Sequence, residues 1–340
     1  MTTRREFLGR MGALPLVATA RPSALSSVDA LRAEFPALSQ SVNGHPLIYL
    51  DSAATTHRPR AVIEAVADFY RQDNANPGRD LHSLARRSYA RYEAARETVA
   101  RFVNAWDPSE IVWTRGTTEA INLVASSWGS TNLGPGDEVV MTVAEHYSNL
   151  IPWQFAARRS GAKLRFVDVD DQGRLRLDQL DALLSHRTKL VCFSQVSNVL
   201  GLINPAKEIC ERAHRAGARV LMDGAQSVPH FPVDVQALGC DFLAFSGHKM
   251  LGPMGIGVLW ARREILEDMP PYQGGSNMAH DVDLESAHYA EGALKFGAGT
   301  PECVRPGRAG HGDSVPGIRG TRISLGQRAG PDQPCPQASG

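Results

Sequence analysis

Residues 241–260 read DFLAFSGHKMLGPMGIGVLW, two apolar runs on either side of a single lysine, Lys249. The runs at 241–245 and 255–260 have the composition typical of buried strands. A lysine in a loop is ordinarily a surface charge. At the end of a core strand, however, partial desolvation favours the neutral amine, which is a nucleophile able to form a Schiff base. The stretch therefore predicts a reactive lysine, and that chemistry needs partner residues.

Short β-branched runs alternate with helix-period segments over most of the chain. Strands are predicted at 138–143, 163–169, 189–194, 218–223 and 242–246. Helices are predicted between them at 117–128, 149–161 and 206–217. This alternation predicts an α/β fold with a mainly parallel sheet covered by helices on both faces. Ligands in such folds bind at the carboxyl ends of the strands.

Polar residues collect at those strand ends. Gly116, Thr117 and Thr118 stand where a helix is predicted to begin, and free backbone N–H groups there favour a phosphate. Asp223 follows the strand at 218–222. Taken singly, these residues are helix caps and turn residues. Together with Lys249 and a histidine able to stack on a ring, they predict a pyridoxal-phosphate site, with Asp223 holding the pyridinium N–H.

Composition excludes several other classes of protein. Lys plus Arg and Asp plus Glu are both 36 in 340 residues, so no excess positive charge indicates a nucleic-acid partner. No apolar stretch approaches the roughly 18 residues that a membrane span requires. The five cysteines lack metal-ligand spacing, so neither a metal site nor a disulfide framework is predicted.

Residues 1–26 have a separate character. Arg4 and Arg5 precede a short, weakly apolar run that ends in Ala18-Thr19-Ala20, a pattern typical of a signal-peptidase site. Paired arginines before such a run predict a twin-arginine export signal and a periplasmic protein. The alternative is an amphipathic N-terminal helix on a cytoplasmic protein.

Seven motifs, in order, resemble one known family. They are YLDSAATTHRP (49–59), TRGTTEAINLVA (114–125), EHYSNLIPWQ (145–154), SNVLGLINP (197–205), DGAQSVPH (223–230), DFLAFSGHKMLGPMGIGVLW (241–260) and AGTP (298–301). They resemble the SufS/CsdA group of cysteine desulfurases and selenocysteine lyases, within the class V aminotransferase family. The resemblance covers residues 27–301. It implies a PLP-dependent transferase fold of the aspartate aminotransferase type, whose large domain has a seven-stranded, mainly parallel sheet.

The resemblance also implies roles for residues that match the motifs. Lys249 would be the Schiff-base lysine and Asp223 the partner of the ring nitrogen. His146 would stack on the ring, beside Tyr147 where the family often has a second histidine. The other implied cofactor contacts are those to phosphate by Thr117, Thr118, Ser246 and His248, and those to the phenolic oxygen by Gln226 and Asn198.

The resemblance also implies which residues contact the substrate and a partner subunit. Asn198 would also lie near the substrate, and His82 would line its entrance. Thr300 would reach the cofactor phosphate of a partner subunit, which implies a homodimer with shared sites. Gly297 replaces the usual glutamate of the last motif, and Met254 stands where threonine is common.

The family pattern stops after Pro301. Residues 302–340 are rich in Gly, Pro and Arg with no sustained apolar period, and are predicted to be a disordered, non-family tail. In the family a small C-terminal domain follows here, with an arginine for the substrate carboxylate and a cysteine that takes the sulfur. That domain is expected to be missing, as in a truncated or frameshifted gene, and Cys303 and Cys335 do not replace its cysteine.

The resulting prediction is a PLP-dependent cysteine desulfurase or selenocysteine lyase, impaired by the missing domain and without rapid turnover of cysteine. Its expected partners are a small amino-acid substrate, a second copy of the chain and a sulfur-acceptor protein. One alternative is an exported class V aminotransferase or epimerase acting on a secondary-metabolite precursor. The other is a cofactor-binding fragment without turnover.

Overall fold

The computed structural model of the chain describes residues 28–77 and 82–301. The predicted signal at 1–26 and the predicted tail at 302–340 lie outside the described residues. The chain divides into two units, Met1–Leu31 with Pro316–Gly340 and Arg32–Val315. In the first unit only residues 28–31 are described, as part of a helix, and everything below concerns the second.

A seven-stranded sheet forms the centre of this unit, as predicted. Its strands are β3 (Ile111–Thr114), β4 (Glu138–Thr142), β5 (Lys163–Val167), β6 (Thr188–Ser194), β7 (Arg219–Asp223), β8 (Phe242–Ser246) and β9 (Gly257–Ala261). They lie in the order β3-β9-β8-β7-β6-β4-β5. The strands β4 to β8 pair in parallel, while β9 runs antiparallel to both β8 and β3. Two hairpins complete the strands: β1 (Ser41–Val42) with β2 (His45–Pro46), and β10 (Ala279–Val282) with β11 (Ala287–Tyr289).

Helices cover both faces of the sheet, because its strands are apolar on both sides. In β7, Leu221 belongs to one buried cluster, and its neighbours Val220 and Met222 belong to the other. The ten α-helices described are α1 (Val28–Ala33), α2 (Arg60–Gln72), α3 (Ser83–Val103), α4 (Thr117–Ser126), α5 (Trp128–Asn132), α6 (Ile151–Ser160), α7 (Leu177–Leu183), α8 (Ala206–Arg215), α9 (Val235–Leu238) and α10 (Arg263–Asp268). The first cluster includes residues of α4 and α6, and the second residues of α3, α7 and α8.

Five short 3₁₀ turns join these elements, and two of them matter for the site. One spans Tyr147–Asn149, after β4, and the other spans Gly247–Lys249, after β8. The remaining three are Pro36–Ser39, Pro108–Glu110 and Gly292–Phe296. Among the described residues, none of the helices combines the length and apolar character needed to cross a bilayer.

Candidate active site

The beginning of α4 meets the end of β8. The Thr117 backbone N–H donates to the Ser246 hydroxyl at 2.8 Å, and the two hydroxyl oxygens are 2.7 Å apart. Gly257, in β9, passes directly beside this point: a Cβ on it would lie 2.3 Å from the Gly116 Cα. Only glycine fits there, so the close packing of β9 fixes where the helix begins. The start of a helix has backbone N–H groups without intrahelical partners, as an anion site requires.

A cavity of about 460 Å³ lies over this helix start. It is lined by Arg115, Gly116, Thr117, Thr118, Glu119, Asn122, Ser246, His248 and Tyr272. Thr117, Thr118, Ser246 and His248, all predicted to hold phosphate, are thus brought together. Arg115 adds a positive charge, which is paired with Glu119 at 2.8 Å.

Asp223 ends β7 and is 5% exposed. Its Oδ1 accepts the Ala225 backbone N–H at 2.8 Å, which leaves Oδ2 for a cationic or N–H partner. Burial raises the pKa of this carboxyl group, while the Ala225 hydrogen bond and the nearby Lys249 and His146 oppose the rise. A protonated ring nitrogen beside it would supply the charge that a buried carboxylate lacks.

Lys249 ends the 3₁₀ turn after β8 and is half-buried. Burial lowers its pKa, and the negative charge of Asp223 offsets part of that shift. The same cause lowers the pKa of the neighbouring His248, where the charges of Lys249 and Arg58 add to the effect. A lysine in this setting gives up its proton more readily, which favours a nucleophilic amine, and the role predicted for Lys249 stays a prediction.

His146 follows the end of β4 and lies close enough to Asp223 to interact with it electrostatically. Its Nδ1 accepts the Ser148 backbone N–H at 3.1 Å, so the ring caps the turn that begins at Tyr147. The Ser148 hydroxyl lies 2.8 Å from that of Thr118, which connects this turn to the phosphate end of the site. His146 is exposed and therefore has a ring face open to a ligand.

The N-terminal segment at residues 55–58 contacts the loop that contains Lys249. Thr55 and Thr56 donate hydroxyl hydrogen bonds to the His248 carbonyl at 3.2 and 3.0 Å, and Arg58 Nη1 donates to the same oxygen at 3.2 Å. The Thr56 hydroxyl also accepts the Leu251 N–H at 3.0 Å. Leu251 has φ of 69°, a left-handed conformation that costs a non-glycine residue about 1–3 kcal/mol. These bonds hold a strained loop in place beside Lys249.

Four other residues were predicted to contact the cofactor or the substrate. Gln226 is buried but donates its amide N–H to the Ala53 carbonyl at 2.7 Å. Asn198 begins an exposed turn after β6. The His82 Nδ1 accepts the Ala85 N–H at 3.3 Å as the N-cap of α3, and Thr300 is exposed and bonded to Asn76 at 3.2 Å. In the described part of the chain no contact joins His82, Asn198 or Thr300 to Lys249 or Asp223, and their predicted roles stay predictions.

Sequence reasoning missed three groups: the pair Thr55 and Thr56, Arg58, and Glu145. The first two lie in the motif at 49–59, for which the sequence indicated no role. Glu145 lies three residues after the end of β4, so it lacks the strand-end position that identified Asp223. Its carboxylate accepts hydrogen bonds from Thr142, Asn149 and Ser194.

The residues present fit pyridoxal phosphate. The helix start with Thr117 and Ser246 suits its dianionic phosphate, the buried Asp223 suits its ring N–H, and Lys249 suits its aldehyde. The fit rests on donor chemistry: three groups that differ in kind, one for each functional part of the cofactor, occupy neighbouring strand ends of one sheet.

The fold and this site define a class of α/β protein that holds a phosphate-bearing cofactor beside a reactive lysine. The family model for class-V aminotransferases matches residues 48–308. The cysteine desulfurase of Synechococcus elongatus is 55% identical over 270 residues, 79% of this chain and 43% of that protein. The probable cysteine desulfurase of Synechocystis sp. is 52% identical over 288 residues, 84% of this chain and 67% of that protein. The chain thus belongs to the class-V aminotransferase family, as its motifs predicted.

Solved structures agree with this assignment. The cysteine desulfurase CsdA of Escherichia coli superposes with a TM-score of 0.77 at 42% identity, over 84% of this chain and 71% of that one. The apo cysteine desulfurase of Thermococcus onnurineus gives 0.78 at 36% identity, over 87% and 71%. The predicted fold is therefore confirmed. The chain spans less than half of the Synechococcus relative and about two thirds of the Synechocystis one.

Proposed function

We propose that this protein is a pyridoxal-phosphate enzyme of the cysteine desulfurase type. The observation that carries the proposal is Lys249, a half-buried lysine with a lowered pKa at a strand end that faces the buried Asp223. Two further facts support it. Relatives that are 51–55% identical are named cysteine desulfurases. A related structure, 26% identical, holds glycine covalently linked to the same cofactor.

The atoms and electrons of the proposed reaction balance when one acceptor thiol takes part. The C–S bond of cysteine breaks, and the sulfur bonds to the acceptor as a persulfide. The hydrogen that the acceptor thiol gives up ends on alanine. When bound, pyridoxal phosphate withdraws electrons from the substrate Cα and so weakens the bonds around it.

The chain's own residues bind, orient and move protons. The start of α4, with Thr117 and Ser246, would bind the phosphate, and Asp223 would accept the ring N–H. His146 would stack on the ring. Lys249 would hold the aldehyde of the cofactor, and its amine would move a proton at the substrate Cα.

Three finer expectations belong to the same proposal. A homodimer would bring the exposed Thr300 to the phosphate of a partner subunit. A sulfur-acceptor protein would take the persulfide. Export to the periplasm would follow from the arginine pair at Arg4 and Arg5.

An alanine-release assay tests the proposed function. Purified protein is incubated with pyridoxal phosphate, cysteine and a reducing thiol, and alanine is measured. Alanine should form with the parent chain and with Lys207→Ala, a control in which an exposed helical lysine is removed, but not with Lys249→Ala. Amino transfer to a keto acid would instead indicate a transaminase, and bound cofactor with neither product would indicate a binding fragment.

The substrate carboxylate offers a sharper test. In the described part of the chain, the arginines beside the site have partners: Arg58 donates to the His248 carbonyl, and Arg115 pairs with Glu119. A free arginine would hold a carboxylate with about 1.5–3 kcal/mol, or roughly a 10- to 150-fold preference. We therefore expect slow turnover, with cysteine and its uncharged methyl ester used at rates within about threefold of each other. A strong preference for cysteine would show that another cation reaches the site.

A further inference from the structure

Glu145 lies where three elements of the site converge. It follows β4 and immediately precedes His146, and its side chain is partly buried. Oε1 accepts from the Thr142 hydroxyl at 2.6 Å and the Ser194 backbone N–H at 3.1 Å. Oε2 accepts from the Ser194 hydroxyl at 2.8 Å and the Asn149 amide at 2.7 Å. One carboxylate thus joins the ends of β4 and β6 to the turn that follows His146.

The direction of these hydrogen bonds is set by further partners. The Thr142 hydroxyl accepts the Ala144 N–H at 3.2 Å, so its own hydrogen is free for Glu145. The Trp153 indole N–H donates to Asn149 Oδ1 at 3.4 Å, which turns the amide nitrogen towards the carboxylate. A backbone N–H can only donate. The surroundings of Glu145 therefore demand acceptors, which glutamate supplies and glutamine supplies only in part.

Both ring-contacting residues are connected to this carboxylate. Ser194 lies opposite Asp223 in the β6–β7 register, and the next residue, Gln195, donates its N–H to the Asp223 carbonyl at 3.0 Å. His146 is the residue directly after Glu145. The carboxylate therefore ties the backbone beside Asp223 to the backbone that carries His146.

We propose that Glu145 is a positioning residue that fixes His146, which would stack on the cofactor ring, relative to Asp223, which would bind the ring nitrogen. The proposal rests on the function proposed above. Burial raises the pKa of Glu145 to about 7, and the charge of Asp223 adds to the rise. A carboxylate in this place opposes folding at neutral pH, and the geometry that it imposes on the two ring contacts is the compensation.

Glu145→Gln tests the proposal, because the amide keeps the shape but points an NH₂ group at neighbours that already donate. The readouts are the affinity of the apoprotein for pyridoxal phosphate, by absorbance titration, and the visible circular dichroism of the bound cofactor, which reports ring orientation. We expect the Kd to rise about tenfold or more, the equivalent of about 1.4 kcal/mol, and the dichroic band to change sign or amplitude.

The matched control is Glu110→Gln. Glu110 is 4% exposed and accepts from the Trp260 indole at 2.9 Å and the Trp106 backbone at 3.0 Å, so its replacement disturbs a comparable buried network. Its Kd should stay within about twofold of the parent, as expected for a site with no ring contact. An equal change in both variants, or a parent-like Kd and spectrum for Glu145→Gln, overturns the proposal.

A milder variant, Ser194→Ala, tests the same proposal if Glu145→Gln does not fold. Ser194→Ala removes one donor to Oε2 and leaves the carboxylate in place, and we expect a Kd about threefold higher with a shifted dichroic band. Parent-like values for Ser194→Ala would overturn the proposal in that case. Failure of the parent chain itself to bind pyridoxal phosphate would contradict the proposed function, so the two failures are distinguishable.

Discussion

The two ends of the site are built on different physical principles. At the phosphate end, backbone N–H groups and neutral hydroxyls of Thr117 and Ser246 are held in place by close backbone packing. At the ring end, Asp223, Lys249 and Glu145 are ionisable groups whose pKa values all depart from their usual ranges because of burial. The first end is suited to affinity and the second to reactivity. Changes at the phosphate end should therefore leave turnover and the visible spectrum unchanged, whereas changes at the ring end should alter them.

The largest expected effect is that of Lys249→Ala. The ring end then has no amine at the strand end, so covalent attachment of the cofactor should disappear altogether. Attachment is measured as cofactor retained on the denatured chain after borohydride reduction. Lys207→Ala should retain it as the parent does. Retention by Lys249→Ala would mean that another lysine holds the cofactor and that the ring end has been wrongly located.

Asp223→Asn should separate binding from reactivity. The amide keeps the size of the side chain but cannot stabilise a positive charge on the ring nitrogen, so turnover should fall about a hundredfold or more. Cofactor occupancy, measured from absorbance after gel filtration, should fall far less because the phosphate end is intact. Equal losses in turnover and occupancy would indicate that Asp223 only supports the fold.

Glu145 should make the stability of the protein depend on pH. Its pKa is about 7 in the folded chain against an ordinary value of 4.5. Between these values the folded state keeps a proton that the unfolded state has released, so this contribution to stability is present below about pH 4.5 and is lost as the pH rises through 7. The loss is at most about 3 kcal/mol, reduced by the solvent that reaches the partly buried group.

Urea unfolding at a series of pH values measures this contribution. The free energy of unfolding of the parent, minus that of Glu145→Gln, should fall as the pH rises from 4.5 to 7.5. The control is the free energy of unfolding of the parent minus that of Glu110→Gln, measured over the same pH range. A difference that stays constant over this range would show that the Glu145 pKa is not raised.

Ser246→Ala should have the smallest effect of the four. It removes a hydroxyl from the phosphate end and should weaken cofactor binding about tenfold, the value of one hydrogen bond to a charged group. Turnover at saturating cofactor and the visible spectrum should stay unchanged. A spectral change in Ser246→Ala would show that the two ends are coupled. The phosphate end would then influence the ring as well as the affinity for the cofactor.

The same division explains what could be predicted from the sequence. Lys249, Asp223 and Thr117 were identifiable because each follows or begins a strongly patterned element, and parallel topology brings strand ends together. The seven-stranded sheet followed from the family motifs. The prediction of a mainly parallel sheet is confirmed, but it did not say which strand runs antiparallel, since periodicity carries no information on direction.

Other features depend on contacts that no local pattern encodes. Glu145 is recognisable only once Thr142, Asn149 and Ser194 are seen around it, and these come from three elements. Arg58 and the threonines before it reach His248 across about 190 residues of sequence. His82, Asn198 and Thr300 are exposed, so their roles depend on molecules outside the chain.

The bonds from Thr55, Thr56 and Arg58 to the His248 carbonyl have a consequence for the order of events during synthesis. The N-terminal segment leaves the ribosome long before its partner is made, and at about 5–20 residues per second the interval is roughly 10–40 s. During that time the loop at residues 248–251, which the segment contacts in the folded chain, has not been synthesised. The Thr56 hydroxyl likewise has no Leu251 N–H to accept until residue 251 has been synthesised. A nascent chain that ends before Gly257 therefore lacks the strand residue that packs against Gly116 at the start of α4.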